Sequence, residues 1–153
     1  MATSSVDLWS TIVDEAATES PLWREALRRD PEHEPVFSPL ADDRWALGLE
    51  TIYEGYLLHY GTARLFEPGD RHTALLLGDY LYAHGLVRIA EHRAVGAVAE
   101  LAGLISVCAQ LRADRSPGDG EAWAASAGRL RSGPPVDAVE VERALAAHAA
   151  RVG

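Results

Sequence analysis

Lysine is missing from this 153-residue chain: all 14 of its basic residues are arginines, set against 23 Asp and Glu for a formal net charge of −9. An acidic chain of this kind excludes a phosphate-tracking surface for DNA or RNA. Cysteine is nearly missing as well. The single Cys108 rules out an internal disulfide framework, and its setting in LISVCAQL marks it as a small buried residue, not a nucleophile. No stretch reaches the roughly 18 uninterrupted apolar residues that a membrane span requires. The first ten residues, MATSSVDLWS, have neither a basic n-region nor an apolar h-region. These absences predict a soluble, cytoplasmic protein with no transmembrane segment and no nucleic-acid partner.

What is present is helical periodicity. The length suits one domain with a real core and extra helices at its ends. Residues 7–18 carry Leu8, Ile12 and Glu15 at helical spacing behind Ser5 as N-cap, and Pro21 restarts a short helix, PLWREALRR. Three prolines then make 30–39 an extended connection. Over 40–65 the residues Trp45, Leu49, Ile52, Tyr56 and Tyr60 follow steps of three and four, opening on Asp42 and Asp43. A second line on that helix, Gly48, Thr51, Gly55 and Thr62, consists of small residues and predicts a close helix crossing. After the turn FEPGD, residues 71–91 are apolar around almost the full circumference, as expected of a helix at the centre of a bundle or across a subunit interface. A helix over 93–112 has glycines at Gly96 and Gly103. The loop DRSPGDGE, a weak helix AWAASAGRLR, the breaker SGPP and an amphipathic terminal helix complete the chain. No strand pattern or internal repeat emerges, so an all-α fold is predicted, with short helices and a Pro-rich connection at 1–39, a helical core at 40–114 and a helical tail at 115–153.

Chemistry-bearing patterns are few. His59, His72, His84 and His92 do not pair at metal-binding spacing, and the glycines lie inside helical patterns, where they serve packing and not a phosphate loop. Glu50 and Glu54, one turn apart, read as a solvated helix edge before they read as a magnesium site or an acid–base pair. Tyr53, Tyr56, Tyr60, Tyr80 and Tyr82 make the two central helices phenolic, as at interfaces. Asp79, in the apolar run LLLGDYLYAHGLVRIA, needs a partner if it is buried; a satisfied structural acid linking helices is the expectation.

The run TALLLGDYLYAHGLVRIA resembles the helix of the trans-prenyl (polyprenyl) diphosphate synthases in which an apolar stretch leads to Gly-Asp-Tyr. ALGLETIYEGYLLHYG is similar to the family segment that ends in Leu-Leu-His before the first aspartate-rich motif, and AVAELAGLISVCAQLRAD to the next helix, with Gln110 at the position of a family glutamine. The resemblance covers about residues 40–114 and implies a truncated isoprenoid-synthase-like helical bundle. Where catalytic members carry metal-binding aspartates after the position of His59, this chain has Tyr60, Gly61 and Thr62. The lysine that grips isopentenyl diphosphate is absent, and so is the half that would hold the second aspartate-rich motif.

Among relatives in that superfamily, HYGTARLF followed by RHTALLLGDY looks most like the small noncatalytic component of two-component heptaprenyl diphosphate synthases. The resemblance implies a noncatalytic or regulatory subunit, without a cofactor of its own, that pairs with a catalytic long-chain prenyl diphosphate synthase and influences product chain length. Magnesium would then belong to the catalytic partner. Gly78, Asp79, Tyr80, Tyr82, Ala83 and Leu86, with Gly48 and Gly55, are the expected structural and interface residues; Glu54, His59 and Gln110 are candidates to line a cavity. Two other readings are a homodimer that holds an isoprenoid or other apolar ligand without catalysis, and an enzyme that uses Glu50, Glu54 or Asp79 in new chemistry. The tail after Pro117 is expected to cap the truncated bundle.

Overall fold

The computed structural model describes residues 5–152, with side chains from Leu8 onward. The capping role expected of Ser5 and the reading of the first residues as leaderless lie outside the described side chains. Helix follows helix: α1 (Ser5–Glu19), α2 (Pro21–Glu25), α3 (Ala46–Tyr60), α4 (Arg71–Ala90), α5 (Val95–Ala113), α6 (Asp119–Arg129) and α7 (Ala138–Val152). Two 3₁₀ turns, Ser38–Leu40 and Asp43–Trp45, lead into α3, and among the described residues there is no strand beyond one isolated bridge between Leu27 and Phe66. The all-α fold follows.

α3 is the central post. Eleven consecutive positions, Gly48 to Leu58, are buried, so it is covered on every side. It is shorter than its 40–65 periodicity suggests. Asp42 ends up outside the helix, accepting the Ser132 backbone N–H, and Gly61 closes the C-terminal end with a bond from its N–H to the Leu57 carbonyl.

α3 and α4 cross through four glycines. A Cβ on Gly55 would lie 2.8 Å from the Gly78 carbonyl oxygen, and one on Gly85 would lie 2.4 Å from Ile52 Cγ1 and 3.1 Å from the Gly48 carbonyl oxygen. Gly48 faces Gly85 and Gly55 faces Gly78, in one antiparallel register, and only hydrogen side chains let the two backbones approach this closely. Gly48, Gly55 and Gly78 thus do the packing work expected of them, joined by Gly85. Gly96 and Gly103 do not: no atom lies within 4 Å of a Cβ built on either.

The remaining elements cover α3. α1 buries Trp9, Ile12 and Ala16 and is tied to α4 by Glu15, which accepts from Arg88 at 2.6 Å and pairs with His84 at 2.8 Å. The segment AWAASAGRLR, weak in sequence, belongs to a real helix because Trp123 and Ala127 are buried in the core. α7 closes the far side of α3 with Ala144 and His148.

α4 is not buried all round. Leu77, Gly78, Leu81, Gly85, Arg88 and Ile89 face inward, but Leu76 and Val87 are about half exposed, at 50% and 54%. The apolar residues that periodicity distributes around the helix leave one side open within this chain.

Candidate functional site

Two polar clusters flank α3. In the first, Arg64 is fully buried and bonds Glu50 Oε1 through Nη1 at 2.6 Å and Glu54 Oε1 through Nε at 3.1 Å. Its remaining donors go to the carbonyls of Glu34 and Glu50. Glu54 also accepts the backbone N–H groups of Arg64 and Leu65, and Glu50 those of Val36 and Ser38. The guanidinium lies 4.7 Å from the Trp9 ring centroid and 5.1 Å from that of Tyr53. Burial works against its charge, but the two carboxylates outweigh burial and hold its pKa above the ordinary value. Glu50 and Glu54 are therefore not a solvated edge: both are at 0% exposure, with their acceptors taken by one arginine and four backbone amides. Glu54, expected to line a cavity, is instead sealed inside this cluster.

The second cluster joins α3, α5, α6 and α7. Tyr53 Oη lies 2.7 Å from His148 Nδ1, and His148 Nε2 lies 3.2 Å from Asp119 Oδ2. Tyr56 donates its hydroxyl to the same carboxylate oxygen, which Arg112 Nη2 also meets at 2.7 Å. One proton assignment satisfies these bonds for a neutral ring: Tyr53 donates to Nδ1, and Nε2–H donates to Asp119. Burial pushes the His148 pKa down, and Asp119 restores it only in part. Burial would raise Asp119, yet the bonds from Tyr56 and Arg112 and the charges of His148 and Arg112 bring it from 3.8 to about 2. Burial first, then the bond to Asp119, raises Tyr56. A tyrosine–histidine–carboxylate chain could in principle move a proton, but Tyr53 is 1% exposed and packed against Phe37 and Trp123. Trp123, His148 and Phe37 fill the space beside Tyr53 and Tyr56. Grooves on the bundle open outward, one of about 510 Å³ lying beside Arg112, Arg115 and Asp119.

The other predicted residues are dispersed. Asp79 is not a buried acid: its side chain is 68% exposed and pairs with His59 Nε2 at 3.0 Å. Its place on the outward side of α4 removes the desolvation problem that its sequence context raises. His59 stacks on Tyr82, with ring centroids 5.0 Å apart, and closes over Gly78. Tyr80 packs on Trp23 and His84, Leu86 is half-buried, and Ala83 is exposed. Gln110 is exposed and donates to Asp114, away from any internal cavity. Cys108 is buried, and burial pushes its thiol up to about 12. Among the described residues no three His, Cys, Asp or Glu side chains converge on a point where a metal could sit.

The least expected surface belongs to α5. It buries Ala97, Leu101, Leu104 and Cys108, and its two charges, Glu100 and Arg112, are both turned onto α6, where they meet Ser126, Arg129 and Asp119. The opposite arc carries no charge. Val95 is 82% exposed and Val107 50%, with alanines, two glycines and Ser106 between them. By length and composition α5 could cross a membrane, with a mean hydropathy of 1.4 over an 18-residue window only 22% buried; interruption by Glu100 keeps it from being a continuous apolar run. Beside it, α4 exposes Leu76, Ala83 and Val87. Together the two helices turn apolar and small residues outward, with Asp79 the charged residue among them on the α4 side. Sequence reading missed this face because the same apolar residues also fit a fully covered helix; the absence of charge from the exposed arc was the available signal.

Neither the protein-family models, nor the curated proteins, nor the solved structures give a match to this chain.

Proposed function

We propose that this chain is a noncatalytic subunit that pairs with a catalytic polyprenyl diphosphate synthase and influences the length of its product. The observation that carries the reading is the uncharged exposed arc of α5, beside the exposed Leu76, Ala83 and Val87 of α4, on a chain in which 24% of residues are charged. Apolar surface left in water costs roughly 25 cal/mol per Å² relative to burial, and a contiguous face of this kind marks a docking surface. The polar core adds support. Arg64 occupies the two central acids, and Trp123 and His148 fill the interior beside Tyr53 and Tyr56, so the chain's own contribution would be contact and not chemistry. The resemblance of residues 40–114 to prenyl synthase helices supplies the class of partner. Magnesium and the diphosphate would be held by that partner, while this chain would wall the cavity into which the apolar product grows.

Coexpression with a long-chain synthase carrying both aspartate-rich motifs tests the reading. Copurification, with a product distribution that shifts when this chain is present, is the expected result. Failure to copurify, together with an unchanged product from the large chain alone, would end it.

The alternative, a ligand-binding homodimer, draws on a groove of about 410 Å³ at the α3–α4 turn, where Leu57, Leu58, Phe66 and Ala74 lie beside Arg28 and Arg71. Arg28 Nε is buried there without a hydrogen-bond partner. Calorimetric titration with farnesyl diphosphate distinguishes it: saturable binding abolished by Arg28→Gln favours this second reading.

A further inference from the structure

Arg44, Arg129 and Arg131 line one cavity of about 270 Å³ at the start of α5, in a chain whose acids outnumber its 14 arginines. Arg44 belongs to the 3₁₀ turn before α3, Arg129 ends α6, and Arg131 stands in the loop that follows. The two regions are fastened to one another at the cavity. Asp42 donates its backbone N–H to the Leu130 carbonyl at 3.1 Å, and its two carboxylate oxygens accept the Ser132 N–H at 3.1 and 3.0 Å. The fold therefore sets the three arginines side by side.

Each guanidinium is steadied by one contact and keeps other donors free. Arg44 lies on the Trp45 ring, 4.2 Å from its centroid, Arg131 gives its Nε–H to the Pro134 carbonyl at 2.7 Å, and Arg129 gives Nη1 to Glu100 at 2.9 Å. Neither Arg44 nor Arg131 forms an ion pair among the described residues. The acid that lines the cavity is Asp42, held below its ordinary pKa first by the Ser132 bonds and then by the charges of Arg44 and Arg131. Three arginines against Asp42 and Glu100 leave a positive balance on a chain of net charge −9. Such a concentration of one sign attracts the other. There is room for an ion as well: no atom lies within 4 Å of a Cβ built on Gly96, which lines the cavity, and the first turn of α5 carries no acidic side chain. The volume equals roughly nine waters at about 30 Å³ each, enough for two linked phosphoryl groups. Guanidinium forks match phosphoryl oxygens in geometry as well as charge.

We infer that this cavity binds inorganic diphosphate, with Arg44, Arg131 and the free edge of Arg129 as its donors. Asp42 plays two opposed parts there: its bonds to Leu130 and Ser132 hold the Arg131 loop in place, while its charge limits the affinity. The inference goes beyond the proposed pairing and does not depend on it. It is tested on the purified chain without any synthase, so its outcome is separate from that of copurification.

Calorimetric titration of the chain with sodium diphosphate at constant ionic strength should show saturable binding at one site. Arg131→Gln and Arg44→Gln should each weaken it about tenfold. Asp42→Asn, which keeps an acceptor for the Ser132 N–H, should strengthen it. Arg143→Gln, exposed on α7 and outside the cavity, should leave it unchanged. None of these four side chains is buried, and helical circular dichroism should be the same in all the variants. Inorganic phosphate, with one phosphoryl group for the same donors, should bind at least about tenfold more weakly. No saturable binding at millimolar diphosphate overturns the inference, as does a loss in Arg143→Gln equal to that in Arg131→Gln. Phosphate held as tightly as diphosphate overturns the choice of ligand, and weaker binding by Asp42→Asn overturns the opposing role of that carboxylate.

Discussion

α3 and α5 are both built almost wholly from apolar and small residues, and they meet opposite fates. α3 is enclosed by this chain on every side, carries two glutamates in its buried stretch, and meets its neighbour α4 through glycines. α5 is enclosed on one side only, turns its two charges to α6, and has glycines that touch nothing. Hydropathy is thus a poor guide to burial. A buried helix can hold acids when donors are fixed around them, and an open helix can lack charge along its whole exposed arc.

The largest way to break the contrast is to take the donors from α3. Arg64→Ala leaves Glu50 and Glu54 buried without their cation, and should cost about 3–5 kcal/mol in urea denaturation. Replacing both glutamates by glutamine in that background should recover part of the loss, because the buried charge is then gone.

Glycine-to-alanine changes sharpen the comparison with opposite signs. Gly55→Ala drives a methyl into the Gly78 carbonyl at 2.8 Å and should destabilise by about 1–3 kcal/mol. Gly103→Ala meets open space and should stabilise the helix by about 0.5–1 kcal/mol. Thermal melts of the two variants should move in opposite directions.

Acid titration probes the polar attachment that α5 lends to α3. The His148 pKa is below its ordinary 6.5 in the fold, so the unfolded chain takes up a proton that the folded chain resists. Stability should therefore begin to fall as pH drops through about 6.5. Asp119 is lowered from 3.8 to about 2; its contribution is present above the higher value and is lost as pH falls toward the lower one. Urea midpoints across this range should show both losses in wild type, and only the more acidic one in His148→Gln.

The smallest effect belongs to Asp79. Its pair with His59 is 68% exposed on the acid's side, so Asp79→Ala should change stability by less than about 1 kcal/mol. A larger loss in the isolated chain would mean that the outward side of α4 is covered in solution.

The helices were legible in the sequence because apolar spacing and Pro/Gly breaks are local signals, and the α3–α4 crossing was legible because Gly48 and Gly55 stand seven apart. The same spacing from Gly78 to Gly85 carries equal weight and completes the crossing. Burial of acids was not legible. Glu50 and Glu54 are locked by a residue after the helix, and Asp79, set among leucines, points outward because α4 has one open side. His148 and Asp119 lie 29 positions apart, and their contacts with Tyr53 and Tyr56 are set by how α6 and α7 fold back, which local pattern does not encode. Between the two polar clusters the aromatic set was visible as tyrosines, yet its closing members, Trp123 and His148, sit on two different helices, α6 and α7, that only the tertiary fold brings to Tyr53.

The bonds around Glu50 and Glu54 have a consequence for dynamics. The amides of Val36, Ser38, Arg64 and Leu65 belong to connections outside the α-helices, and each donates to one of these carboxylates in the buried interior. Releasing any of them to solvent means exposing a carboxylate–guanidinium centre that water cannot enter while the bundle is closed. Their protons should exchange with deuterium only as fast as the whole molecule opens, which makes two irregular segments part of the last structure to come apart.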